Sequence, residues 1–222
     1  MAMFDGFVRK ILPLSREALG PILDWTTGYP WGCQDRSELA QFDGSLHVEH
    51  VGYFPQLRNP ELFQACSSAI RDLQTLSWLA DCDPVYVIAA RLQPGAVVKT
   101  HYDVRKRHEL SFRVHIPLSP SPQTQYLFSA SPVEPPPGTR LLSYFNSVRM
   151  EAAFEMEHGS AYLFNNRCLH QVRHLGQVDR TNIFMDFLPR RFRGLSARQL
   201  EEKQPQTERE RLCLSTSSSL PA

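Results

Sequence analysis

The spacing of apolar residues divides the chain into an irregular opening, one helical stretch and a long series of short strands. After Asn59-Pro60-Glu61 the apolar positions Leu62, Cys66, Ala69, Leu73 and Leu76 recur at steps of three and four. That period marks one face of an α-helix, so an amphipathic helix is predicted from Pro60 to about Ala80. Asn59 supplies an N-cap acceptor, Pro60 fits the first helical position, and Glu61 suits the positive end of the helix dipole. Upstream, Pro13, Pro21, Pro30 and Pro55 interrupt any long helix. Ser15 to Trp25 is expected to be at most a short helical piece broken near Gly20-Pro21, because proline removes a backbone donor.

From Pro84 the apolar runs become brief and turn residues separate them. Strands are predicted at Val85 to Leu92 and Val97 to His101, with Pro94-Gly95 as the turn between them. Further strands are expected at Ser111 to Leu118, Gln125 to Ser129, Arg140 to Tyr144, Ser160 to Phe164, Gln171 to His174 and Asn182 to Leu188. Ser129 to Gly138 contains three consecutive prolines and reads as a loop. Seven or eight short strands at this spacing suggest a mainly β, double-sheet jelly roll of the cupin-like kind, with the helix bracing one face. From about Ser196 the chain turns polar, which predicts a short helix and then a disordered tail. A single domain is therefore expected over residues 1–195, followed by a tail over 196–222.

Composition narrows the possible functions. A chain of 222 residues with 42% apolar content can bury one full core. The formal charge of +1 provides no broad basic face, so no nucleic-acid partner is expected. The basic runs Arg105-Lys106-Arg107 and Arg190-Arg191-Phe192-Arg193 read as solvated loops. The five cysteines are scattered and lack zinc-knuckle spacing, and no disulfide framework is indicated. No basic-then-apolar leader opens the sequence, and no stretch approaches the roughly 20 apolar residues that span a bilayer. The expectation is a cytoplasmic protein of a reducing compartment, with no membrane partner.

The candidate chemistry begins at His101-Tyr102-Asp103, at the end of a predicted strand. Residues two apart on a strand face the same side, so an imidazole and a carboxylate can reach one metal ion. His170, on a later predicted hairpin, is placed to supply a third ligand. Two histidines and one carboxylate on one face of a metal leave positions for a co-substrate and O2, as in non-haem iron(II) oxygenases. Zinc hydrolases use similar ligands but need one open position. Ten residues after His170, Arg180 starts a strand with apolar residues at 183, 185 and 187. A guanidinium at the bottom of a dry pocket suits a bidentate carboxylate. The plain alternatives are a strand-end ion pair for His101 with Asp103, a packed core histidine for His170, and a surface salt bridge for Arg180.

The runs Arg91-Leu-Gln-Pro-Gly-Ala-Val-Val-Lys-Thr-His-Tyr-Asp103, Arg113-Val-His-Ile-Pro-Leu118 and Gly159-Ser-Ala-Tyr-Leu-Phe-Asn-Asn-Arg-Cys-Leu-His170, followed by Arg180, resemble the aspartyl/asparaginyl β-hydroxylase family. The resemblance covers roughly residues 84 to 189. Relatives in that family include bacterial amino-acid hydroxylases such as the proline cis-4-hydroxylases. It implies a double-stranded β-helix that uses iron(II), 2-oxoglutarate and O2. By position, His101, Asp103 and His170 match the iron ligands, and Arg180 matches the anchor of the 2-oxoglutarate distal carboxylate. Arg113 and His115 match positions lining the 2-oxoglutarate pocket. The vertebrate member lacks the carboxylate ligand and carries a membrane anchor and helical repeats. Here Asp103 is present and neither accessory is seen, so an amino acid or small amino-acid-derived substrate is expected, with carrier-bound and peptidyl forms left open. Related halogenases replace the carboxylate, so Asp103 points to hydroxylation.

Two rival readings remain: a cupin-type metalloenzyme that does not use 2-oxoglutarate, and a catalytically silent binding module. His47, His50, His108, His158 and His174 are read as surface or hydrogen-bonded structural residues. Asn165 and Asn166 are read as turn formers ahead of His170.

Overall fold

The computed structural model describes residues 6–31, 46–53, 59–103, 111–119 and 123–194. In chain order the elements are β1 (Val8–Pro13), α1 (Arg16–Gly28), β2 (Leu46–Tyr53), α2 (Pro60–Ala65), α3 (Ser67–Gln74), β3 (Cys82–His101) and β4 (Phe112–Pro117). They continue with β5 (Thr124–Ser129), α4 (Leu141–Ser147), β6 (Ala152–Phe154), β7 (Ser160–Phe164), β8 (Leu169–His174) and β9 (Arg180–Pro189), which ends in a 3-10 turn at Arg190–Phe192. The expectations for Arg105-Lys106-Arg107, His108 and the tail from Ser196 lie outside the described residues. So do the side chains of His47 and His50, since only the backbone of β2 is described.

The longest strand, β3, decides the architecture. Its first part pairs with β9, from Cys82 opposite Pro189 to Leu92 opposite Arg180. Its last part pairs with β8, from Val97 opposite Arg173 to His101 opposite His170. Between the two lies Gly95 at φ +79°, a left-handed conformation that glycine adopts without steric cost. The Pro94-Gly95 turn expected from sequence is therefore a bend, and the chain runs on to a new partner instead of reversing. The strand path β1-β7-β4-β9-β3-β8-β5-β6, with β2 also on β3 and all described pairings antiparallel, wraps into a double-stranded β-helix.

Alternation along the strands sorts the two faces. Val114 and Ile116 of β4, with Ile183, Met185 and Phe187 of β9, pack on Ala18, Ile22, Leu62, Cys66, Ala69 and Leu73 from the three helices. The helices brace the sheet here, as the stripe from Leu62 to Leu73 predicts. The opposite face carries Arg113 and His115 on β4 and Arg180, Asn182, Phe184 and Asp186 on β9. It looks toward a second apolar cluster that includes Tyr126, Phe128, Tyr162, Phe164 and Val172. One period-two pattern thus assigns structural residues to the outer face and chemically active ones to the interior.

Several elements differ from the sequence reading. The helix predicted over 60–80 is two helices, α2 and α3, because Cys66 at their junction has ψ −4°. Its cap is as expected: Leu62 N donates to Asn59 Oδ1 at 3.0 Å. Helix α1 passes through Pro21 without breaking, with Ala18, Ile22 and Thr26 buried beneath it and Ser15 Oγ capping Ala18 N at 3.1 Å. Burial of that face outweighs the one backbone bond that proline forfeits. Arg140 to Tyr144, read as a strand, belongs to helix α4, none of whose residues is buried. A short apolar run carries no decisive period, and Leu142 at 64% exposure contributes to neither core. The strand predicted from Gln171 starts at Leu169 and so includes His170. Strands β1 and β2 were not legible in the sequence.

Among the described residues, Cys66, Cys82 and Cys168 form no disulfide. No helix among the described residues is long and apolar enough to cross a membrane.

Candidate metal site and adjoining pocket

The end of β3 and the start of β8 are adjacent antiparallel strands, and their register puts His101 directly opposite His170. The two imidazole centroids lie 4.2 Å apart. Asp103 is drawn in by the turn before β8, since its backbone N donates to Asn166 O at 3.1 Å. That turn is built by Asn165, whose Oδ1 accepts from Arg167 N at 3.2 Å. The result is a cluster in which His101, Asp103 and His170 each present one ligand atom, all within 4.8 Å of one another.

The second ring nitrogen of each histidine is already committed. His101 Nδ1 meets the Lys99 carbonyl at 2.7 Å, and His170 Nδ1 meets the Cys168 carbonyl at 2.9 Å. A carbonyl only accepts, so both Nδ1 atoms carry hydrogen and both Nε2 lone pairs are free to ligate. Burial, reinforced by the nearby His101, pushes His170 down to about 3, which keeps it neutral as metal binding requires. Burial raises the Asp103 carboxyl, but the Arg113 guanidinium overcomes it and holds Asp103 below its ordinary value. Two imidazoles and one carboxylate, with no thiolate among them, fit iron(II).

His174, four residues past His170, contrasts with it. Its Nδ1 pairs with Thr124 Oγ1 at 2.8 Å and its Nε2 with the Val178 carbonyl at 2.6 Å. With both nitrogens in use and no exposure, it is a structural histidine, as read from sequence.

The interior face holds the other candidates. Arg180 is fully buried, donates from Nη2 to Met156 O at 3.2 Å, and lies 5.8 Å from the Tyr126 ring centroid. His115 stacks on Phe164 at 4.0 Å and meets the edge of Phe184 at 4.3 Å. Burial, followed by the charge of Arg113, lowers His115 well below 6.5, so it is neutral. Among the described residues, the buried atoms His115 Nε2 and Asn182 Oδ1 have no hydrogen-bond partner. Buried polar atoms left so are costly, and beside the buried Arg180 they make this face a candidate lining for a polar, anionic molecule. Phe164 touches both this face and the cluster, its ring centroid 6.1 Å from that of Tyr126 and 5.0 Å from that of His170.

The structure therefore brings His101, Asp103 and His170 together, and sets Arg180 and His115 on one interior face nearby. Arg113, matched from sequence to the co-substrate pocket, sits on the same interior face, beside the metal cluster. Its Nη1 pairs with Asp103 Oδ2, while Nε and Nη2 grip Asp186 at 2.7 and 2.8 Å. Sequence reasoning missed Asp186, Asn182, Tyr126 and the role of the Asn166 carbonyl. A signal existed for the first two, since even positions along β9 share the face of Arg180. None existed for Tyr126.

The family model described as aspartyl/asparaginyl beta-hydroxylase matches residues 53–189 of this chain. No curated protein matches the sequence significantly. Among solved structures, the chain resembles a prolyl hydroxylase from Trichoplax adhaerens in complex with a hypoxia inducible factor oxygen degradation domain peptide fragment. That match has 14% identity and a TM-score of 0.53, covering 89% of this chain and 87% of the other. HygX from Streptomyces hygroscopicus, with nickel and 2-oxoglutarate bound, matches at 12% identity and TM-score 0.51, over 81% of this chain and 82% of its own. The non-heme monooxygenase ThoJ in apo form matches at 15% identity and TM-score 0.50, over 84% of this chain and 75% of its own. At these identities the likeness is one of fold.

Proposed function

Since the chain belongs to the aspartyl/asparaginyl beta-hydroxylase family, and is thus a 2-oxoglutarate-dependent hydroxylase, we propose that it hydroxylates an unactivated carbon of an amino acid or a small amino-acid-derived substrate. The observation that carries the residue assignment is the His101-Asp103-His170 cluster, with both imidazoles fixed by backbone carbonyls so that Nε2 faces outward. In this reading these three residues hold iron(II). The metal with 2-oxoglutarate and O2 supplies the oxidising power, and the co-substrate leaves as succinate and CO2.

The chain's own groups provide position and a dry setting. Arg180 neutralises the distal carboxylate of 2-oxoglutarate and sets its direction. Its full burial leaves little water to screen that pairing. His115 offers Nε2–H to the same molecule, with Nδ1 facing Asn182 Nδ2 at 3.4 Å. Phe164, Phe184 and Tyr126 wall the pocket and exclude water. Tyr102, between two of the proposed ligands, packs edge-on against Phe145 of α4 at 5.9 Å, which sets one side of the substrate entrance.

The substrate class rests on the resemblance to amino-acid hydroxylases. It is tested by incubating the full chain with iron(II), ascorbate and 2-oxoglutarate in air against free amino acids and short peptides. Substrate-stimulated succinate and a product one oxygen atom heavier are expected with at least one amino acid. Stimulation by peptides alone would move the substrate to a peptidyl class, and stimulation by neither would reject the assignment.

A further inference from the structure

The metal-site reading leaves one strong interaction unused: the fork between Arg113 and Asp186. These residues sit directly opposite each other on β4 and β9. The two hydrogen bonds measure 2.7 and 2.8 Å, and Asp186 lies out of solvent at 1% exposure, with Arg113 mostly covered at 12%. A planar guanidinium gripped at Nε and Nη2 can no longer rotate, so the direction of Nη1 is fixed. That fixed Nη1 donates to Asp103 Oδ2.

We propose that Asp186 is a positioning residue for the metal site, acting through Arg113 to orient the Asp103 carboxylate. With Oδ2 held by Arg113, Oδ1 is the oxygen left to serve as a ligand, which sets one-oxygen coordination. Asp186 has a second effect of the same sign, because its charge offsets the guanidinium beside a bound dication. Without it, Arg113 is free to swing wholly onto Asp103 and compete with the cation for the carboxylate. Both effects weaken metal binding when Asp186 is lost. The alternation of β9 puts Asp186 on the interior face, but only the cross-strand register gives it Arg113 as a partner. The inference rests on the metal-site reading above.

The test measures Co(II) binding to the metal-free full chain by visible absorption, which needs no turnover. Asp186→Asn keeps the shape and removes the charge, and should weaken Co(II) binding about tenfold or more, as supporting residues of metal ligands do. In an Arg113→Gln background, Asp186→Asn should have no further effect. Asp179→Asn, which removes an ion pair with Arg91 elsewhere on the sheet, should leave Co(II) binding unchanged and controls for general loosening. If Asp186→Asn fails to fold, Arg113→Lys keeps the charge, breaks the fork, and should weaken binding similarly. Wild-type Co(II) affinity in Asp186→Asn, or an equal loss in the Arg113→Gln background, overturns the proposal. Failure of the wild-type chain to bind Co(II) overturns the metal site itself.

Discussion

Replacing Arg180 by Met separates the co-substrate pocket from the metal cluster. Methionine fills the volume of the aliphatic stem and removes only the guanidinium. Arg180 has no solvent exposure, so its pairing with a carboxylate is hardly screened. Loss of one partner from such a buried charge pair costs about 2–5 kcal/mol. At about 1.4 kcal/mol per tenfold, 2-oxoglutarate should bind from roughly thirty to several thousand times more weakly. Folding should change less: the Met156 carbonyl loses one donor, at a cost of about 1–3 kcal/mol. Metal affinity should hold, because Arg180 is not among the three clustered ligand residues. The assay is paired titration calorimetry, Co(II) into the metal-free chain and 2-oxoglutarate into the Co(II)-loaded chain, each for wild type and variant. An unchanged 2-oxoglutarate Kd would refute the anchor. A parallel loss of both affinities would show that Arg180 supports the fold rather than the ligand.

Three further outcomes are expected. His170→Ala should abolish both metal binding and succinate formation, since it removes a proposed ligand at the centre of the cluster; a fully active variant would refute the triad. His115→Phe keeps the stacked ring and should weaken 2-oxoglutarate binding while flattening the acid side of the stability curve. His115 stays neutral when folded but protonates near 6.5 when unfolded, so the unfolded chain binds the extra proton as pH falls below that value. Wild type should then lose up to about 1.4 kcal/mol per pH unit more than the variant, read by urea unfolding of the metal-free chain; parallel curves would contradict this. Phe187→Ala, on the helix-facing side of β9, should cost about 3–5 kcal/mol in unfolding yet leave Co(II) affinity intact, and a lost affinity would show the two faces to be coupled.

The sequence alone determined what depends on local period and local chemistry. The two-residue alternation of β4 and β9 placed Ile183, Met185 and Phe187 on one face, and therefore Arg180 on the other. The stripe from Leu62 to Leu73 set a bracing helical face, and Asn59 set its start. These survive because a residue's neighbours two or four positions away dictate them. The His101-Tyr102-Asp103 spacing nominated an imidazole and a carboxylate, but β3 ends at His101 and the Asn166 carbonyl fixes where Asp103 lies.

The tertiary structure decided what depends on partners far along the chain. Pro94-Gly95 looks the same locally whether the chain reverses or bends, and only β8 waiting beyond it selects the bend. Pro21 breaks an isolated helix but not α1, because burial against the sheet repays one lost backbone bond. Leu141 and Leu142 suit strand or helix equally, and no sheet edge recruits them. His170 and His174 read alike in sequence. Thr124 and Val178 consume both nitrogens of His174, while the Cys168 carbonyl takes only one from His170 and leaves the other for chemistry. Asp186 meets Arg113 across 73 residues of chain, a pairing that only the β4–β9 register creates.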